Sequence, residues 1–378
     1  MNTLHSLKIL HLGKYYHPHR GGMETVLRQQ AEGLVERGCR VTVLVAGSDT
    51  DCGRMQKGVR VVRALTAGTI RSQPVTPTLV GLLRRELVGR GPDLVILHLP
   101  NPLAAGAWLL ATAVGGVPAT RLAVWHHADI TRQRVDAAPA RWLQARCLAQ
   151  AGTVWVSSAA LAAGSRELIP WRSRVEVVPF GIDPRPWQIR EPRRDGPFVF
   201  VGRLVPYKGL DVLLEAVATA PGIHLDLVGS GPLGTDLSAS IRDRDLGDRV
   251  RLCGELDDVE LADLMSRARA LVLPSIDASE TFGLVQLEAM AAALPVVASD
   301  LPTGVRNVGR DGVTHIMVPP GDGAALATAL VRLQDDDLVA RMGRAARLRV
   351  EDYSRDHMID RILEAAAVPR TSAGKDQS

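Results

Sequence analysis

The chain has 378 residues, 46% of them hydrophobic and 4% aromatic, with 45 basic and 41 acidic side chains and a formal net charge of +4. This length fits two domains of roughly 150 to 200 residues rather than one small core, and the composition is neither disordered nor disulfide-dense. Few aromatics, none in a basic run, and no zinc-finger or RNP signature exclude nucleic acid as the expected partner.

Strands are predicted at residues 7–12, 41–45, 60–63, 94–98, 121–125, 153–156 and 175–178, with helices at 23–37, 78–89 and 141–150. The strand runs are rich in Val, Ile and Leu with little alternation, as in parallel sheets buried on both faces, and the alternation with helices predicts βαβ units. A stretch with four prolines and mixed charge (184–197) reads as a linker. A second series follows, with strands at 198–201, 223–228, 250–253, 270–273, 295–298 and 315–318 and helices at 210–220, 259–268, 285–292 and 324–333. The expected architecture is α/β: two facing Rossmann-like parallel-sheet domains, residues 1–183 and 198–352, with a ligand cleft where the carboxyl ends of their strands face each other. A last helix is predicted at 353–368 and a disordered tail at 369–378.

Residues 1–190 hold 24 Lys+Arg against 12 Asp+Glu, a net of +12, which leaves 21 against 29, a net of −8, for the second half. A basic first half suits an anionic partner, either a phosphorylated lipid acceptor or an anionic membrane surface, or else attraction to the acidic half. Cys39, Cys52, Cys147 and Cys253 show no metal-ligand or redox spacing and read as buried small residues in a reducing compartment. Residues 7–12 read as a strand, not a leader. The apolar stretch 103–117, broken by Gly106, Gly115 and Gly116, reads as a buried helix rather than a membrane span. A cytoplasmic protein, peripheral on the inner membrane face, is the expectation.

The most chemically telling segment is Ser279-Glu-Thr-Phe-Gly-Leu-Val-Gln-Leu-Glu-Ala-Met290. It places Glu280 and Glu288 around a Phe-Gly turn and the start of an apolar helix. Helix-end N–H groups suit a phosphate and carboxylates suit sugar hydroxyls; an acidic first helical turn is the blander alternative. Arg203 and Lys208 follow the first strand of the second series and form a diphosphate clamp, one bidentate and one a point charge. The chain has 40 Arg and 5 Lys, and Lys208 is the only lysine from residue 58 to residue 374, so its retention is informative. Gly21-Gly22 precedes a helix and lets the backbone approach a ligand. Tyr15, His17, His19 and Arg20 follow the first strand and could line an acceptor side. Gly229-x-Gly231-x-x-Gly234 with Glu255 beyond formally matches a dinucleotide fingerprint, but it follows the second strand of its domain, and Pro232 and a helix opening at Asp236-Leu237 disfavour it. His127 beside Asp129 is the candidate of the first domain, with His126 a packing residue.

Taken in order, Gly21-Gly22-Met-Glu24, Val178-Pro-Phe-Gly-Ile-Asp183, Phe200-Val-Gly-Arg-Leu-Val-Pro-Tyr-Lys-Gly209, Leu227-Val-Gly-Ser-Gly-Pro232, Val272-Leu-Pro-Ser275 and the Glu-x7-Glu segment resemble retaining, nucleotide-sugar-dependent glycosyltransferases of family 4, which have the GT-B fold. Trp125-His-His-Ala-Asp-Ile130 with Arg132-Gln133, and His98-Leu-Pro-Asn-Pro-Leu103, resemble bacterial mannosyl- and rhamnosyltransferases of surface polysaccharide synthesis, with Ala128 where that subgroup carries Ser. The resemblance implies a hexose donor, GDP-mannose first and UDP- or dTDP-sugars otherwise, a lipid-linked saccharide acceptor, and no metal or other cofactor. It implies donor contacts from Gly22, Gly202, Arg203, Lys208, Gly231, Leu256, Glu280, Phe282, Gly283, Leu284 and Glu288. Arg203 and Lys208 would neutralise the leaving diphosphate, Glu280 hold the sugar, Glu288 the ribose, and Leu256 the base. His127 would approach the transferred sugar, with Tyr15, His98, Asn101 and Asp129 on the acceptor side. It also implies a last helix returning to the first domain, and retention by same-face substitution or a covalent intermediate. A nucleotide-sugar epimerase and a non-catalytic sugar-nucleotide or lipid-binding module are the competing classes.

Overall fold

The computed structural model describes residues 7–19, 21–48, 51–70, 73–117, 120–130, 138–188 and 194–367. Arg20, Arg132, Gln133, part of the expected linker and the expected tail lie outside these residues. Among the described residues the chain divides into two units, 7–179 with 355–367, and 180–354. No described helix is long and apolar enough to cross a membrane.

The first unit runs β1 (Lys8–Leu12), α1 (Gly22–Glu36), β2 (Arg40–Gly47), β3 (Asp51–Gln56), β4 (Val59–Leu65), β5 (Gly68–Ile70), β6 (Gln73–Val75), α2 (Leu79–Leu87), β7 (Leu94–Leu99), α3 (Pro102–Ala113), β8 (Arg121–His126), α4 (Ala138–Gln150), β9 (Thr153–Val156), α5 (Ala159–Gly164) and β10 (Val175–Val177). Its main sheet has the order β10-β9-β8-β7-β1-β2-β4-β3, parallel except for β3 against β4. Alternate residues of each strand face opposite sides. Leu10, Leu12, Val95, Leu97, Leu99, Leu122 and Val124 therefore share one core with Leu83 and Leu87 of α2 and Trp108 of α3. The antiparallel β3 and the β5-β6 hairpin were not anticipated; both are short segments without the aliphatic runs that marked the buried strands.

The helix Arg355–Ala367 belongs to this first unit, although it ends the described chain. It lies on α1, where the Gly33 position leaves room for Ile359 and Gln30 Nε2 meets Met358 Sδ at 3.7 Å. Arg355 pairs with Glu36, Arg361 with Glu176, and Arg121 donates to the Ala365 carbonyl at 3.0 Å.

The second unit runs β11 (Phe198–Val201), α6 (Leu210–Thr219), β12 (Leu225–Val228), α7 (Gly234–Asp243), β13 (Val250–Gly254), α8 (Asp258–Arg267), β14 (Leu271–Leu273), α9 (Val285–Ala291), β15 (Val296–Ser299), α10 (Gly304–Val308), β16 (His315–Val318), α11 (Gly323–Arg332) and α12 (Asp336–Arg349). The parallel sheet has the order β13-β12-β11-β14-β15-β16. Phe198, Phe200, Leu225 and Leu227 pack against Leu213, Leu214 and Val217 of α6. α7 opens at Gly234, two residues earlier than expected. The unit begins at Phe180 rather than 198, because Phe180 and Trp187 are buried apolar side chains rather than linker surface. It ends at Ser354, which bridges Ile182, so Tyr353 stays with it.

In both units the chain builds outward from one strand and then returns to its other side, between β1 and β7 and between β11 and β14. Such reversals leave a crevice at the carboxyl ends of the two strands.

Ile359 is fully buried. Ile359→Ala should lower the stability of the first unit by about 2–4 kcal/mol, although the residue lies far along the chain. Five of the six tryptophans lie in that unit, so urea titration followed by tryptophan fluorescence checks it.

Candidate active site

The reversal at β11 and β14 brings together the loops that follow these two strands. After β11 the chain turns through Gly202 and Arg203 into a 3₁₀ turn, Pro206–Lys208, and enters α6 through Gly209. Gly209 has φ +66°, and a Cβ there would lie 2.1 Å from the Pro274 carbonyl oxygen, so only glycine lets the two loops touch. The Ile276 N–H donates to the Tyr207 carbonyl at 2.8 Å and closes that contact.

These loops carry Lys208 and Glu280. Lys208 Nζ donates to Glu280 Oε2 at 2.5 Å, and Ser275 Oγ donates to the same oxygen at 2.9 Å. Lys208 and Glu280 side chains are 10% and 9% exposed. The sequence assigned the ammonium to phosphate and the carboxylate to sugar as separate tasks. The fold instead pairs them, so neither charge is buried uncompensated. Arg203 is exposed beside Gly202. Gly231 packs directly on the Leu204 backbone, leaving no room for a side chain there. Glu288 and Leu256 are half-buried.

The turn of Phe282 and Gly283 is braced from within the unit. Gln286 Nε2 donates to the Phe282 carbonyl at 2.8 Å, and Gln286 Oε1 lies 3.0 Å from His315 Nε2, which makes that ring nitrogen the donor. Burial lowers the His315 pKa to about 3, so the ring is a neutral strut. Phe180 and Tyr353 meet the Phe282 ring edge-on, with centroids at 5.0 and 6.2 Å. Leu284 caps α9, which starts at Val285, so Glu288 lies in its first turn. Sequence reasoning missed Ser275, Gln286 and His315; Ser275 and Gln286 stood unassigned within quoted motifs, whereas His315 lay in none.

In the first unit, His98 and His127 come together with a residue the sequence did not flag, His11. His11 Nδ1 lies 3.1 Å from His98 Nε2, and His98 Nδ1 lies 3.0 Å from His127 Nε2. All three are buried, at 0%, 2% and 5% exposure. Burial pulls the His11 pKa to about 3 and holds His98 and His127 well below the ordinary imidazole value.

Asp129 does not serve His127. Its Oδ1 accepts from His126 Nε2 at 2.9 Å and from Ser165 Oγ at 2.5 Å, and its Oδ2 accepts from the Arg166 N–H at 2.9 Å. Adjacent residues of an extended strand face opposite sides, which separates His126 with Asp129 from His127. Burial raises the Asp129 pKa, but the bonds from His126 and Ser165 outweigh it and the net shift is downward. The Asn101 Oδ1 accepts from the Ala104 N–H at 3.2 Å and caps α3. Tyr15 is half-buried, with its ring 4.5 Å from that of His19.

His126, Asp129 and Glu167 have metal-ligand proximity. However, Glu167 already accepts from the Ile130 N–H and from Gln144, and burial raises its pKa. With their oxygens taken by N–H and O–H donors, these acids form a clasp between the loop after β8 and the segment after α5. A cavity of about 930 Å³ lies at the opposite, amino-terminal ends of β11–β13. Its Arg249 donates to the Val217 and Ala220 carbonyls and its Arg251 to Asp226, so these cations are committed to the fold.

Two family models match the chain, "Glycosyl transferase 4-like domain" over residues 21–181 and "Glycosyl transferases group 1" over residues 183–349. It is 31% identical over 366 residues to O-antigen chain mannosyltransferase C of Escherichia coli, covering 94% of this chain and 96% of that one. The chain belongs to this glycosyltransferase family. It is also 30% identical over 354 residues to the D-rhamnosyltransferase WbpZ of Pseudomonas aeruginosa, covering 91% of each chain. Sucrose-phosphate synthase of Thermosynechococcus elongatus shares the fold, with TM-score 0.80 and 24% identity over 95% of this chain and 98% of that one. The GT-B class expected from the sequence is therefore the fold of this glycosyltransferase.

Removing one partner of the Lys208–Glu280 pair strands a buried charge. Lys208→Met and Glu280→Gln should each destabilise the second unit by about 3 kcal/mol or more. The double variant should cost less than the sum of the two, as read from a double-mutant cycle in urea.

The buried histidines also give stability a pH dependence. His11 is neutral in the fold but binds a proton near pH 6.5 when unfolded, so its contribution is complete above pH 6.5 and is lost as pH falls toward about 3. Within that window each such group should lower stability by up to about 1.4 kcal/mol per pH unit. Urea midpoints at neutral pH and at about pH 5 should show this fall; a midpoint unchanged or raised in acid would contradict neutral burial.

Proposed function

We propose that this glycosyltransferase moves a hexose, mannose from GDP-mannose, with retention of configuration, onto a lipid-linked oligosaccharide of surface polysaccharide synthesis. The observation that carries the reading is the Lys208–Glu280–Ser275 constellation at the strand reversal, in a chain 31% identical to an O-antigen mannosyltransferase. A diphosphate arriving at Lys208 and Arg203 takes over the ammonium from Glu280, whose carboxylate is then available to sugar hydroxyls. Stabilising the departing diphosphate is the main electrostatic task when the sugar becomes oxocarbenium-like. N–H groups of Phe282, Gly283 and Leu284 meet the phosphates, Glu288 the ribose, Leu256 the base, and Gly202 and Gly231 carry the loops that border the nucleotide. Gly22 and His127 serve the first unit's side of the reaction, His127 at the transferred sugar. No metal or other cofactor enters this reading.

The first half's net charge of +12 supports docking of the enzyme on an anionic membrane surface from the cytoplasmic side, where a lipid-linked acceptor would be met. The relation to a D-rhamnosyltransferase supports a second reading, a rhamnosyl donor at the same site.

A thermal-shift panel of GDP-, UDP- and dTDP-sugars tests the donor. At a concentration 100 times its Kd the correct one adds about 2.7 kcal/mol of stability, and GDP-mannose should give the largest shift. Lys208→Met and Glu280→Gln, assayed below their melting points, should lose at least about 10²-fold in kcat. Near-normal turnover in both folded variants would refute the site.

A further inference from the structure

The three linked histidines form a staircase, His11 on β1, His98 on β7 and His127 just past the end of β8, where its N–H still bonds the Leu99 carbonyl at 2.8 Å. Parallel register pairs His11 with Ile96 and His98 with Trp125. His98 lies two residues beyond Ile96, and His127 two beyond Trp125. Paired residues of parallel strands share a face, and so do residues two apart, so all three imidazoles project from one face and each stands a step nearer the carboxyl edge. The rings run nearly parallel, with centroids 5.5 and 5.3 Å apart and interplanar angles of 28° and 25°.

A neutral imidazole carries one N–H and one lone pair. His98 uses both its nitrogens in the chain, so one must donate and the other accept, and the two bonds must point the same way. Only two arrangements exist. In one, every N–H points toward His127, whose Nδ1 then carries the remaining proton. In the other, every N–H points toward His11, whose Nε2 would carry it. His11 Nε2 is buried and has no hydrogen-bond partner among the described residues. A buried N–H without an acceptor is rarer in folded proteins than an under-used lone pair, which selects the first arrangement.

We propose that His11 and His98 are positioning residues that fix His127 as its Nδ1–H tautomer. His127 is thereby a hydrogen-bond donor toward a sugar hydroxyl or ring oxygen and not a proton acceptor. The proposal rests on the reading of His127 as the residue that meets the transferred sugar. It goes beyond that reading by fixing the chemistry His127 offers and by giving His11, which no motif marks, a role in it.

The test is nitrogen NMR of the full chain labelled with [15N2]-histidine, assigned with His11→Phe, His98→Phe and His127→Asn variants. In the wild type, His127 should show a protonated Nδ1 and an unprotonated Nε2, unchanged from about pH 8 to pH 6. A protonated Nε2 on His127, or a charged ring in that range, overturns the proposal without any variant having to fold. In His11→Phe the constraint on direction is lost, and His127 should become a mixture of tautomers; a shift in melting temperature with the tautomer unchanged would mark His11 as packing only. Release of GDP from GDP-mannose supplies a separate readout. Asn places an N–H₂ near the position of Nδ1 and Asp only acceptors. His127→Asn should therefore keep activity within about tenfold of wild type and His127→Asp lose about 10²-fold. Equal loss in both contradicts a donor role. Full activity in both, with the wild-type spectrum as expected, would instead refute the placement of His127 at the sugar and leave the tautomer assignment standing.

Discussion

The arrangement of this enzyme depends on a reversal of strand order that occurs once in each unit. A parallel strand with helical crossovers can extend a sheet in only one direction until the chain returns to its starting strand and builds the other way. At that point the flanking connections leave on opposite sides, and the carboxyl ends of two adjacent strands stand open. In the second unit these are β11 and β14, and the loops beyond them carry Lys208 and Glu280. In the first they are β1 and β7, which carry His11 and His98. The same topological event thus builds an ion pair in one unit and a file of neutral rings in the other.

The two constellations solve the problem of polar burial differently. The Lys208–Glu280 pair keeps full charges, each compensated by the other, with Ser275 satisfying a further lone pair. In the proposed reading an anionic donor competes for this ammonium and releases the carboxylate. The histidines avoid charge altogether. The braces reverse this division: in the first unit Asp129 stays ionised by accepting three donors, whereas in the second burial keeps His315 neutral between Thr314 and Gln286.

Much of this was legible in the sequence where one residue type or one spacing carried the information. The aliphatic runs gave most sheet strands, and the Arg-for-Lys bias singled out Lys208. The Glu-x7-Glu spacing singled out Glu280, and the ordered motifs led to the family. Legibility ended at pairs of residues distant in the chain. Lys208 and Glu280 were each singled out, but their contact across 72 positions follows from strand order, which no local pattern encodes. His11 lies within an ordinary apolar strand, and only register relates it to His98. Asp129 was placed with the wrong histidine because sequence adjacency conceals which face of a strand a side chain takes. The helix cap made by Asn101 went unread because a cap and a binding residue share the same chemistry.

The helix Arg355–Ala367 has a consequence for how the chain is made. It covers α1, an element completed within the first 36 residues, yet it is the last described element to leave the ribosome. The second unit, by contrast, is one uninterrupted stretch of chain and depends on nothing translated later. Synthesis therefore delivers a self-sufficient second unit while the first still waits, with the surface of α1 around Gly33 bare. Until that surface is sealed the nascent protein must be kept from sticking to its neighbours.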